Sequence, residues 1–168
     1  MIVLAIIIWQ DFKYRAISWW ILPVLVILAI GNALFKMPVS KLALSTLYNF
    51  GIILLQLTIV FAYFFLRGKS FMGILNQYLG IGDIIFLFIL CFVFSPVNYI
   101  VFCTISFIIV LLFSVILLNV LPKKDNRIPL AGGVSCLLLV VYIFSLFNIN
   151  IDFYSDQLVF NIIEKLYG

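Results

Sequence analysis

The sequence predicts an all-α, polytopic membrane protein of about six transmembrane helices followed by a short carboxy-terminal interfacial helix, and three observations predict it. Of its 168 residues, 67% are hydrophobic and 10% are charged, against about 25% charged in soluble domains. The apolar residues are gathered into runs separated by short charged or Pro/Gly-marked turns. No stretch between those runs is long enough to bury a core of its own. Residues 1–148 therefore read as one membrane domain and 149–168 as an amphipathic tail.

The first run, residues 2–10, is closed by Asp11, Lys13 and Arg15. As helix it covers only about 15 Å, half a bilayer core, so either the helix continues past Asp11 or the chain starts upstream. No basic region precedes Met1–Trp9 and no small-residue cleavage site follows it, which makes it a retained span rather than a signal peptide. The second span runs from Trp19 to about Phe35, with Trp19 and Trp20 as interfacial anchors, and Lys36, Pro38 and Lys41 mark the turn after it. The third covers Leu42–Leu66, with Gly51 and Gln56 as its soft interior positions, and ends at Arg67-Gly68-Lys69. Residues 70–82 hold Ser70, Asn76, Gln77 and three glycines, the composition of a surface helix or re-entrant loop. A fourth span extends from about Asp83 to Phe94 and is followed by the turn signal Ser95-Pro96-Val97-Asn98. The fifth, Tyr99–Leu121, leads into the charged loop Pro122–Arg127. The sixth opens at Ile128-Pro129 and continues to Phe147, with Gly132, Gly133 and Ser135 as a small-residue packing face. In the tail, Leu158, Val159, Ile162, Ile163 and Leu166 recur at helical spacing, which predicts an anchoring helix capped by Ser155 or Asp156.

Charge orients these spans. With the amino terminus outside, the loops at 11–18, 67–82 and 122–128 lie inside and hold Lys13, Arg15, Arg67, Lys69, Lys123, Lys124 and Arg127, seven of the ten basic residues. This bias accounts for most of the net charge of +4, so no nucleic-acid partner is needed. The chain has no histidine, which closes the routes through His-ligated zinc, a Ser-His-Asp triad or a Cys-His pair. Cys91, Cys103 and Cys136 lie inside apolar runs with no Cys-x-x-Cys spacing and read as small hydrophobes. No metal or organic cofactor is expected.

Acid–base chemistry must come from six carboxylates: Asp11, Asp83, Asp125, Asp152, Asp156 and Glu164. Two spans separate Asp11 from Asp83, so both return to the cytoplasmic face, and Asp125 beside Lys123, Lys124 and Arg127 is a solvated loop charge. Two carboxylates sharing a site do not both ionise cheaply; one keeps its proton as general acid while its neighbour deprotonates a water for attack on an amide carbonyl. Gly80 and Gly82 beside Asp83 permit positive φ and close approach of an extended substrate strand. Simpler readings stand beside this one. Asp83 could cap the fourth helix, and Asp11 could pair with Lys13 or Arg15 as a rim charge.

Asp11-x-Lys13-x-Arg15-x-Ile17 and Gly80-x-Gly82-Asp83, with Ile128-Pro129 opening the last span, resemble the peptidase core of the type IV prepilin peptidases, membrane aspartic peptidases of the Gly-x-Gly-Asp type. The resemblance covers nearly the whole chain. It implies that Asp11 and Asp83 are the catalytic pair, that Gly80, Gly82, Lys13, Arg15 and Pro129 lie along the substrate, and that no cofactor is required. The implied partners are prepilin-like precursor proteins and the lipid bilayer, the basic leader being cut at the cytoplasmic face of the inner membrane. Lys13 and Arg15 match family positions but also serve positive-inside anchoring. The cysteine-bearing amino-terminal segment associated with methyl transfer in many members is not found, so methyltransferase activity is not expected. Ser18 stands where the family usually has proline, and Ile85 where a lysine is common. These departures keep a non-catalytic scaffold of the same fold as the alternative. A small transporter using Asp83 ranks lower, since no inverted repeat is visible. Presenilin-like proteases share the Leu79–Asp83 pattern, but their Pro-Ala-Leu motif is absent and Pro129-Leu130-Ala131 has a different order.

Overall fold

A computed structural model describes residues 1–68, 70, 80–120, 129–147, 152–156, 160 and 164, with the side chains of 116–120 excepted. Among them are six helices and no strand: α1 Ile2–Tyr14, α2 Ile21–Lys36, α3 Val39–Leu66, α4 Ile81–Leu90, α5 Pro96–Val120 and α6 Leu130–Phe147. Leu79, the loop residues 71–79, the charged loop with Asp125, and most of the predicted tail helix lie outside the described residues.

Three helices are long and apolar enough to cross a membrane: α3, α5 over Pro96–Val115, and α6. The chain is therefore a helical membrane protein. The expected count of about six spans is met by length in three, because α1, α2 and α4 have 13, 16 and 10 residues. These correspond to about 20, 24 and 15 Å, short of a ~30 Å hydrocarbon core.

α1 continues through Asp11 to Tyr14, the first of the two options left by its short apolar run. It stops at Arg15, whose backbone turns left-handed (φ 53°) while its N–H donates to the Asp11 carbonyl at 3.0 Å. A left-handed non-glycine residue costs about 1 kcal/mol, and here it reverses the chain within one turn of Asp11. The most extensive helix pair is α1 against α6, while α4 contacts α2, α3 and α6. Fully buried Ile7, Phe86, Leu90 and Val134 join these elements in one core.

Two boundaries differ from expectation. α4 ends at Leu90 rather than Phe94, and the chain continues in tighter i to i−3 turns, with the amides of Cys91, Phe92 and Val93 donating to Phe88, Ile89 and Leu90. Ser95–Asn98 is not a free turn, because α5 begins at Pro96, a residue that suits the first helical position since no intrahelical partner exists there for an N–H. Fully buried Asn49 on α3 holds this corner: its Nδ2 donates to the carbonyls of Cys91 (3.0 Å) and Phe94 (2.7 Å). Carbonyls freed by a helix ending at membrane depth need such a donor.

Residues 152–156 close the other end of the molecule. Asp156 Oδ1 accepts the amides of Val97 (3.2 Å) and Asn98 (3.4 Å), capping α5, while its carbonyl accepts the amide of Phe160 at 3.2 Å, where the chain is helical; the rest of the expected tail helix lies outside the described residues. Asn98 Nδ2 donates in return to the carbonyls of Phe153 and Ser155, and the Ser95 amide donates to Phe153 O at 2.9 Å. Phe153 packs on Phe94 and Tyr142. The start of α5 and the chain just after α6 thus share one end, so the two helices run antiparallel.

Candidate active site

The opposite end gathers the carboxyl end of α1 and the amino ends of α4 and α6. An α-helix leaves its first amides without intrahelical partners and carries partial positive charge there. At α6 the first bond of the helix runs from the Gly133 amide to the Pro129 carbonyl at 3.0 Å. Two of the remaining amides hold carboxylates: Ala131 N–H donates to Asp83 Oδ1 at 3.0 Å, and Gly132 N–H donates to Asp11 Oδ2. Asp83 Oδ2 also accepts the Gly80 amide at 3.2 Å.

The two acids come from helices 72 residues apart in sequence (83 − 11) and meet on adjacent peptide units. Neighbouring Cα atoms are about 3.8 Å apart, so the seated oxygens share a space a few ångströms wide. The Asp11 charge acts on Asp83, and the Arg15 charge acts on Asp11. Asp11 is 5% exposed, whereas Asp83 is half-buried and so the more open of the pair.

The glycines of the motif serve a purpose other than the expected one. Gly80 has φ −68° and ψ 142°, ordinary extended backbone just before α4, and Gly82 lies inside that helix. Among the described glycines only Gly68 has positive φ. What Gly80 supplies is room, since a Cβ there would lie 3.0 Å from Asp83 Oδ2. Gly82 packs under Ile17, where a Cβ would make an ordinary 3.6 Å contact. Asp83 is thus the third residue of α4, reaching back to the amide at the helix entrance.

Of the other expected residues, Pro129 is buried two residues before Ala131, the first of the two seating amides. Lys13 turns to the aromatic rings, its Nζ 4.7 Å from the Trp9 centroid and 5.1 Å from that of Tyr14. Ser18 donates its amide to Gln10 Oε1 at 2.9 Å, a bond that proline could not make. Ile85 is half-buried against the core. Sequence reasoning missed the amides of Ala131 and Gly132; the signal was a Pro-led helix start on the same face as both acids. It also passed over Asn49, a lone amide in an apolar run.

The site can hold and move protons between two carboxylates. Among the described residues no group of three or more His, Cys, Asp or Glu converges as a metal site would require. A half-open cavity of about 260 Å³ lies farther along α1, α2, α4 and α6, walled by Leu4, Ala29, Leu90 and Leu138. At its edge Asn32 Nδ2 donates to the Tyr142 hydroxyl at 2.8 Å. From Asp83 to Ile89, a wall residue, is about 9 Å of helix. No family model, curated protein or solved structure matches the chain.

Proposed function

We propose that the chain is a membrane-embedded aspartic endopeptidase that removes the basic leader of prepilin-like precursors at the cytoplasmic face of the inner membrane. The observation that carries this reading is the seating of Asp11 and Asp83 on the adjacent amides of Gly132 and Ala131. Asp83 also caps α4 through the Gly80 amide, as the simpler reading expected, but that contact uses Oδ2 and leaves Oδ1 to meet the amide next to the one that holds Asp11. The Asp11-x-Lys13-x-Arg15 and Gly80-x-Gly82-Asp83 motifs add to it. In this reading the short helices α1, α2 and α4 complete a six-span, amino-terminus-outside layout, with the dyad at the cytoplasmic ends.

The chemistry follows from the pair. The ionised carboxylate takes a proton from water as the water oxygen bonds to the scissile carbonyl carbon, and the protonated partner gives its proton to the carbonyl oxygen. Collapse of the tetrahedral species breaks the C–N bond as the leaving nitrogen is protonated, leaving a carboxyl product and a new amine. The amide dipoles at the start of α6 hold both acids in register throughout. The cavity along the same helices offers apolar side chains of the bound segment a place below the scissile bond.

The test is co-expression in membranes of the host's pilin-like precursors with wild type, Asp11→Asn or Asp83→Asn. A shortened precursor that appears with wild type and with neither variant is expected. Cleavage retained by either variant refutes the dyad. Ile85 packing into the core where a cation is common in the resembled family favours the scaffold reading as second; absence of cleavage by folded, inserted wild type, with both variants complementing a deletion strain, would select it.

A further inference from the structure

Gly80 is related to Asp83 in two ways: its amide donates to Oδ2, and the space a Cβ would fill is taken by that same oxygen at 3.0 Å. One other glycine among those described has this double relation to a carboxylate. Gly132 donates its amide to Asp11 Oδ2, and a Cβ there would meet Asp11 Oδ2 at 2.9 Å, Cβ at 3.0 Å and Cγ at 3.3 Å. Its neighbour shows the contrast. The next residue, Gly133, admits a purely apolar neighbour, since its Cβ would meet Val110 Cγ2 at 2.6 Å on α5, whereas Gly132 admits a carboxylate that its own amide holds. Gly31 and Gly51, on α2 and α3, have nothing within 4 Å.

We propose that Gly132 is a positioning residue for Asp11, the second of two glycine seats on which the dyad rests. The proposal rests on the reading of Asp11 and Asp83 as the catalytic pair. Gly132 is buried on the most extensive helix contact of the molecule, α1 against α6, so Asp11 has little freedom to retreat from an added methyl. A small displacement of one acid separates it from the water it shares with the other. Misplacement by about 1 Å can cost ~100-fold in rate.

The experiment combines kinetics with a stability cycle on the full chain in lipid or detergent. Gly132→Ala is expected to lower kcat at least about 100-fold with KM within a few fold of wild type, while Gly51→Ala, on the open face of α3, keeps both. A kcat for Gly132→Ala within twofold of wild type overturns the proposal. In parallel, Gly132→Ala is expected to lower the melting temperature in the wild-type background and to raise it or leave it unchanged beside Asp11→Ala, where the carboxylate has gone. An equal loss in both backgrounds overturns the proposal without reference to any substrate. If wild type cuts no precursor, the peptidase reading fails, and the stability cycle alone then decides whether Gly132 seats Asp11.

Discussion

Asparagine at Asp83 should destabilise the protein more than asparagine at Asp11, although the two changes are chemically the same. Both oxygens of Asp83 accept backbone amides, from Ala131 at 3.0 Å and Gly80 at 3.2 Å. A carboxamide has one acceptor oxygen and one donor nitrogen, so whichever way it turns, one N–H faces another N–H. The loss of one charge-assisted bond and the stranding of its donor cost about 2–3 kcal/mol. At Asp11 the described bond is a single one, from Gly132 to Oδ2. Asn at that position can keep its oxygen there, and it removes a charge from a site that is 5% exposed. Its expected cost is about 0–1 kcal/mol. The difference of ~2 kcal/mol corresponds to roughly a 30-fold change in the folding equilibrium. Unfolding by SDS titration in mixed micelles, followed by tryptophan fluorescence, measures it. An equal or larger loss for Asp11→Asn would refute the assigned bonding.

Two further predictions concern the supports. Asn49→Leu strands the carbonyl of Cys91 and leaves that of Phe94 to the longer bond from Ser45 Oγ at 3.4 Å, and should cost about 2 kcal/mol; the same SDS titration should show it, with a drop well above that of Gln56→Leu in the same helix. Asp156→Ala removes the cap on α5 and should cost about 1 kcal/mol, with faster amide hydrogen exchange at Val97 and Asn98 as its local sign.

The helical class and the positions of α2, α3, α5 and α6 could be read to within about three residues, because long apolar runs admit one solvent and one backbone solution. What could not be read lies where hydropathy and backbone conformation part. The apolar run ends at Asp11, yet α1 continues to Tyr14, since a helix propagates through any residue whose carbonyl and amide remain paired. Ser95-Pro96 fits a turn and a helix start equally well, and an acid 60 residues later (156 − 96) decided between them. The two acids could be found by elimination and by motif. Their seats could not, because backbone amides carry no residue identity and Gly132 reads as a packing glycine until α1 is laid against it.

The cap on α5 sets an order of events in synthesis. Val97 precedes Asp156 by 59 residues (156 − 97), and at 5–20 residues per second that interval is about 3–12 s. During it α5 must enter the membrane with its leading amides open to water or headgroups. Only after α6 has crossed back can residues 152–156 reach them. The contact therefore reports on assembly: a molecule in which the Asn98 amide is held by Asp156 has already laid α6, with the amides of Ala131 and Gly132, against the helices before it.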